Sequence, residues 1–258
     1  MIIEVKTLSF AYQGASDILR DISFSVKKGQ IICILGPNGI GKTTLLNCLA
    51  NLATPTKGEI LLNGVDMKRM APKEVAMNIG YVPQFILPSF AYEVLSYVVT
   101  GCAPTIGTFE KPKAAHYSIA QKSLEQMSVS HLSQKYYTQI SGGERQLVSI
   151  ARAIAQRPKV ILMDEPTSHL DYGNQIKTLR IIRKLAAEGY AAVITSHNPD
   201  HALLLGGDVA AIGPNGEFTF GNCSDVINED FLSSLYGIDL HIRRIPDLGR
   251  DVCVAPCL

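Results

Sequence analysis

A chain of 258 residues has room for one large α/β domain, or for a core that carries an inserted subdomain. Lys and Arg number 24 against 23 Asp and Glu, a net charge of +1, which excludes a strong overall field drawing the protein to nucleic acid or anionic lipid. Hydrophobic residues at 47% and charged residues at 18% describe a globular protein with a slightly apolar surface, such as a docking face supplies.

The first residues, Met1 to Lys6, carry neither the basic start nor the apolar core of a signal peptide, so the chain is expected in the cytosol. The stretch Val94 to Phe109 is uncharged but broken by Gly101, Pro104 and Gly107, and it does not read as a membrane span. Cys33, Cys48, Cys102, Cys223, Cys253 and Cys257 form no C-x-x-C pair and are expected to be free thiols.

In chain order, Ile3, Val5, Phe10 and Tyr12, followed by Ile22, Phe24 and Val26, alternate with period two and predict antiparallel strands. Ile31 to Leu35 is a continuous apolar run, as a strand buried on both faces of a parallel sheet requires. Directly behind it, Gly36-Pro37-Asn38-Gly39-Ile40-Gly41-Lys42-Thr43-Thr44 satisfies the phosphate-loop pattern G-x-x-x-x-G-K-[ST]. Leu45, Leu46, Leu49 and Leu52 then predict one apolar side of a helix. Strand, glycine loop and helix start together bring backbone N–H groups and a positive dipole end to one point, which suits a polyanion. Lys42 would reach the β- and γ-phosphates, Thr43 would ligate Mg²⁺, and Thr44 would donate to a phosphate.

Gly58 to Gly64 reads as a strand closed by an Asn-Gly turn, Pro72 to Met77 as a short helix, and Ile79 to Val82 as a strand closed by Pro83-Gln84. From about Phe85 to Tyr137 apolar residues recur at helical spacing, which predicts an inserted helical subdomain over about 85–157. Ser141 and Glu144 have capping-box spacing, so a helix begins there with its N-terminus available as a second anion site.

Lys159 to Met163 is another buried strand, ending in Asp164-Glu165. The strand's alternation predicts that these carboxylates face different ways, Asp164 toward Mg²⁺ through water and Glu165 toward an attacking water. Ile176 to Glu188 is an amphipathic helix stopped by Gly189, and Ala191 to Thr195 a core strand that brings Ser196-His197 to the sheet edge. Beyond Gly206 the pattern gives strands at Val209 to Ile212 and Glu217 to Phe220, a helix near Val226 to Leu235, and a short extension over 236–258 without evident chemistry.

Taken together these residues resemble the ATP-binding cassette (ABC) family of ATPases up to about Leu235. The resemblance implies an α/β fold: a P-loop NTPase core of RecA-like type with an antiparallel β subdomain and an inserted α-helical subdomain. It makes Tyr12 the adenine-stacking aromatic and Gly36 to Thr44 the phosphate loop. It makes Gln84 a catalytic and metal-binding glutamine, Ser141-Gly142-Gly143 the signature, and Asp164-Glu165 the metal and base carboxylates. Asp171 becomes the dimer-contacting residue and His197 the switch histidine. It also implies a head-to-tail dimer in which each ATP lies between the phosphate loop of one chain and the signature of the other.

Two residues depart from the family pattern, Glu144 where Gln is common and His169 where Ala is common. A carboxylate at position 144 facing a phosphate would be repelled, so the capping box is expected to turn Glu144 back to the Ser141 N–H. The run Thr167 to Gln175 and the stretch Pro88 to Gly101 are similar to the ATPases of metal-chelate importers, which serve iron-siderophore, haem and cobalamin uptake. Ile106 to Lys113 is similar to relatives assigned to molybdate or tungstate. The resemblance thus implies membrane permease subunits, an extracytoplasmic binding protein, a place on the cytoplasmic face of the inner membrane, and no nucleic-acid partner. A soluble ABC ATPase of repair, translation or iron-sulfur assembly is the alternative, which the lack of a second cassette and of a basic surplus disfavours.

Overall fold

The computed structural model describes residues 1–14, 16–84 and 91–257. The Pro88 to Phe90 part of the importer-like stretch, and the expected start of the helical subdomain at Phe85, lie outside them.

The described residues form two large sheets and, near the C-terminal end, a two-stranded one. The first is antiparallel, with order β2-β1-β4-β5, built from β1 (Ile3–Phe10), β2 (Leu19–Val26), β4 (Lys57–Leu62) and β5 (Val65–Asp66). Its hairpin β4–β5 turns at Asn63-Gly64 with φ of 51° and 82°, the pair of left-handed residues that a two-residue turn of matching twist requires. The alternation of β1 is shifted by a bulge between Val5 and Leu8, where Thr7 has φ of 46°. Tyr12 therefore stands beyond the strand and not in its alternation, and it is 53% exposed.

The second sheet has order β10-β9-β3-β8-β7-β6. Its strands are β3 (Ile31–Leu35), β6 (Ile79–Val82), β7 (Val160–Met163), β8 (Ala191–Ser196), β9 (Asp208–Ile212) and β10 (Phe218–Asn222). All neighbours are parallel except β10 against β9. Every residue of β3, β7 and β8 is buried, because layers cover both faces of this sheet. One face packs on the β1–β2 sheet and on α1 (Lys42–Leu49); the other packs on α5 (Gly142–Ala155), α6 (Tyr172–Ala187) and α7 (Pro199–Leu205).

α2 (Pro72–Ala76) precedes β6, while α3 (Val94–Val99), α4 (Ala114–Gln126) and α5 pack together as a helical layer. α5 joins that layer to the sheet, since Val148, Ile150, Ala151 and Ile154 lie in the same core as Met163 and Ile194.

Three expectations are corrected. Leu52 lies past the end of α1 and is 67% exposed, because Ala50 already closes the helix. α6 starts at Tyr172, four residues early, because the Asp171 carboxylate caps it through the Asn174 N–H at 2.9 Å. The single C-terminal helix is two, α8 (Cys223–Val226) and α9 (Glu229–Tyr236), separated where the Asn228 side chain caps the second. The final extension contains a β-hairpin, β11 (His241–Ile245) with β12 (Arg250–Val254), seated on α7 through a bond from the Cys253 N–H to Asp200 Oδ1 at 2.9 Å. All six cysteines are free thiols, and Cys33 and Cys48 are buried as expected.

Candidate active site

The phosphate loop turns off the C-terminal end of β3 at the centre of the parallel sheet, where ligands of such sheets bind. Gly41 has φ of 108°, and a Cβ there would lie 2.7 Å from Ile18 Cγ2, so only glycine brings the loop so close to the β2 side. Gly41 also caps α1 without a side-chain acceptor, which leaves the first-turn N–H groups of α1 free for an anion.

A cleft of about 370 Å³ opens there, lined by Tyr12, Ile18, Asn38, Gly39, Gly41, Lys42, Thr43, Thr44, Gln84 and Glu165. Gly36 and Pro37 stand off its wall; their carbonyls accept from Lys42 Nζ, each at 2.9 Å, and so aim the ammonium. Lys42 is only 5% exposed, and burial lowers its pKa, opposed by the nearby Glu165 and Asp164 carboxylates. Tyr12 stands edge-on to Phe10 and its hydroxyl is 3.3 Å from Thr44 Oγ1, which braces the ring at the mouth of the cleft.

Opposite the loop, β7 ends at Met163 and delivers the two carboxylates. Asp164 Oδ1 accepts from Thr43 Oγ1 at 3.1 Å and from Thr195 Oγ1 at 2.7 Å. Glu165 does not continue the strand. It takes φ of 41°, the strained left-handed conformation, held because its N–H donates to Thr195 Oγ1 at 2.7 Å. The two carboxylates are thus separated by a backbone twist, where the sequence pattern suggested strand alternation, and both serve one site.

The Glu165 carboxylate is the meeting point: Lys42 Nζ lies 3.8 Å from it, Gln84 Nε2 3.1 Å, and His197 Nδ1 3.4 Å. Thr195, whose hydroxyl positions both acids at once, was not singled out by sequence reasoning. Its signal was a hydroxyl following the apolar run of a buried strand, one place beyond the residue paired with Met163.

Thr43 and Asp164 are in contact, and Gln84 lines the same cleft as Thr43, so a hydroxyl, a carboxylate and an amide are the donors available there. The oxygens of these groups fit Mg²⁺.

Ser141, Gly142 and Gly143 are not part of the cleft lining; they open α5, with Ser141 and Gly142 exposed. Ser141 N–H donates to Glu144 Oε2 at 2.7 Å and Glu144 N–H to Ser141 Oγ at 3.3 Å, the reciprocal cap expected from the spacing. These bonds hold the Glu144 carboxyl below the usual carboxylate range. The signature packs tightly on α6: a Cβ on Gly143 would lie 2.9 Å from the Asn174 amide, which Asp171 holds from the other side.

A phosphate loop at a sheet switch point, a threonine hydroxyl on the Asp164 carboxylate and a second carboxylate braced by Lys, Gln and His define a P-loop nucleoside triphosphatase. The model of the ABC transporter family matches residues 19–168, and the chain belongs to that family. As a member it binds ATP and hydrolyses it.

The chain is 36% identical to the molybdate import ATP-binding protein MolC of Haemophilus influenzae, over 92% of this chain and 89% of that protein. It is 32% identical to the hemin import ATP-binding protein HmuV of Bordetella pertussis, over 99% of this chain and 100% of that protein. Among solved structures it resembles an inward-facing transporter described as of metal-chelate type, with a TM-score of 0.87 and 33% identity over 98% of this chain and 95% of that one.

Proposed function

We propose that the chain is the ATP-hydrolysing subunit of an importer that carries a metal chelate, such as an iron-siderophore, haem or cobalamin. In this reading it works as a pair on the cytoplasmic face of the inner membrane, bound to permease subunits that receive cargo from an extracytoplasmic binding protein. No described helix is long and apolar enough to cross a membrane. The observation that carries the chemistry is the convergence of Lys42, Gln84 and His197 on the Glu165 carboxylate.

Tyr12 takes the adenine face, and the loop N–H groups of Gly39, Gly41, Thr43 and Thr44 cradle the phosphates beside Asn38. Lys42, released from the Gly36 and Pro37 carbonyls, moves to the β- and γ-phosphates. Thr43, Gln84 and, through water, Asp164 would hold Mg²⁺, which when bound neutralises charge developing on the phosphates. Glu165 orients a water in line with the γ-phosphorus and takes its proton as the bond to the β-phosphate oxygen breaks. His197 keeps the Glu165 carboxylate turned to that water and donates to the γ-phosphate.

Glu165→Gln keeps the shape and removes the base. Its hydrolysis rate should fall at least about a hundredfold while ATP still binds, and hydrolysis at the unaltered rate would overturn the assignment.

The MolC relative favours a second cargo, molybdate or tungstate. Uptake by vesicles holding the chain with its co-purified permease separates the two readings. Accumulation of a haem, siderophore or corrinoid chelate supports the first, and accumulation of the oxyanion alone overturns it in favour of the second.

A further inference from the structure

Behind the catalytic edge stands a buried histidine that neither the phosphate loop nor the carboxylates use. His201, in the first turn of α7, is 7% exposed. Its Nδ1 lies 2.9 Å from Ser196 Oγ and 3.3 Å from Thr167 Oγ1, and its Nε2 3.4 Å from Asn198 Nδ2.

The surrounding bonds fix which nitrogen carries the proton. Asn198 Oδ1 accepts the Asp200 N–H that caps α7, so the Asn198 amide nitrogen is turned to the ring. That nitrogen is a donor, so His201 Nε2 is an acceptor and Nδ1 bears the hydrogen. Ser196 Oγ then accepts from His201 Nδ1 and from the Asn198 N–H, and donates its own proton to the Asn198 carbonyl at 3.3 Å. With the neutral imidazole protonated at Nδ1 the Asn198 amide, His201 Nδ1–H and the Ser196 hydroxyl each have an acceptor, whereas a proton on Nε2 would face the Asn198 amide hydrogens. Burial and the nearby His197 push the pKa down, opposed by Asp200, in keeping with that state.

Ser196 and Asn198 flank His197. Thr167 follows Glu165 by two residues in the segment leading to Asp171, and that segment is tied back by Ser168 Oγ donating to the Glu165 carbonyl at 2.9 Å. One imidazole thus joins the two loops whose side chains meet at the His197–Glu165 contact. We infer that His201 is a positioning residue that pins the His197 loop to the Glu165 loop and so sets the alignment of base and histidine. The inference rests on the roles proposed above for Glu165 and His197.

The test measures ATP hydrolysis and ATP affinity of the full chain as wild type, His201→Leu, His201→Asn, Ser196→Ala and the His201→Leu/Ser196→Ala double variant, with Glu165→Gln alongside. His201→Leu should lower kcat at least about tenfold with KM for ATP within about twofold, because α7 does not line the nucleotide cleft. His201→Asn, which places an amide donor where Nδ1–H stood, should recover part of the loss. The double variant should lose no more than the worse single one, since both remove the same link. A separate readout is the long-range ¹H–¹⁵N spectrum of histidine-labelled wild type, in which His201 should show a neutral ring protonated at Nδ1 near neutral pH.

Unchanged kcat in His201→Leu, losses that multiply in the double variant, or an Nε2–H or doubly protonated ring would each overturn the inference. The spectrum decides the matter if the leucine variant fails to fold. If Glu165→Gln retains full hydrolysis, the reading of the site itself fails, whatever His201 does.

Discussion

At the residue scale, the site depends on groups in conformations that cost energy unless their neighbours hold them. Glu165 at φ of 41° is held by the Thr195 hydroxyl, which accepts its N–H while donating to Asp164. Thr195→Val keeps the shape and removes that hydroxyl. It should lower hydrolysis at least about tenfold and leave a buried N–H unsatisfied, costing about 1–3 kcal/mol by urea unfolding. Glu144 makes the opposite case: its carboxylate is occupied by the Ser141 N–H. Glu144→Gln should therefore leave steady-state ATP turnover within a few-fold, and a near-total change would show that the side chain faces nucleotide.

His201 adds a pH dependence with a definite sign. Its folded pKa is below the ordinary 6.5, so between those values the unfolded chain binds the proton and the native chain does not. Its contribution to stability is whole above about pH 6.5 and is lost as the pH falls toward the folded pKa. The groups facing the ring are His197, Asp200, Thr167, Ser196 and Asn198, and of these only the first two titrate. Urea midpoints measured across mildly acid pH should fall less steeply for His201→Leu than for the wild type.

At the element scale, legibility followed how local the cause was. The Gly36 to Thr44 loop with its strand and helix was readable because motif, apolar run and helical spacing all act within a few residues of one another. The Ser141 cap was readable for the same reason. The start of α6 was missed although Asp171 and Asn174 carry a local capping signal, because the apolar periodicity begins only at Ile176. Thr195 could be found only once β7 and β8 were in register, and the β11–β12 hairpin only through its long-range seat on Asp200. α7 gathers several such links: the Asn198 cap, the His201 pin and the hairpin bond. Asn198→Ala should cost about 1 kcal/mol as a lost cap, lowering the thermal midpoint by about 2–4 °C in calorimetry.

At the scale of the whole molecule, the proposed site residues fall in two places. The cleft holds Tyr12, the phosphate loop, Gln84 and Glu165, while Ser141 to Gly143 present an exposed helix start elsewhere. A helix N-terminus complements a γ-phosphate, and the head-to-tail pair we propose would bring one to each cleft. In the proposed reading ATP joins the two copies, and loss of the γ-phosphate removes the charge that held them, which would turn hydrolysis into opening and closing.

The most direct measurement of this account is the mass in solution of the Glu165→Gln chain, by light scattering with and without ATP and Mg²⁺. A mass that doubles on adding ATP, retains one ATP per chain and falls back when Ser141→Arg blocks the signature is the predicted result. A mass that stays that of one chain with ATP fully bound would contradict the two-chain site.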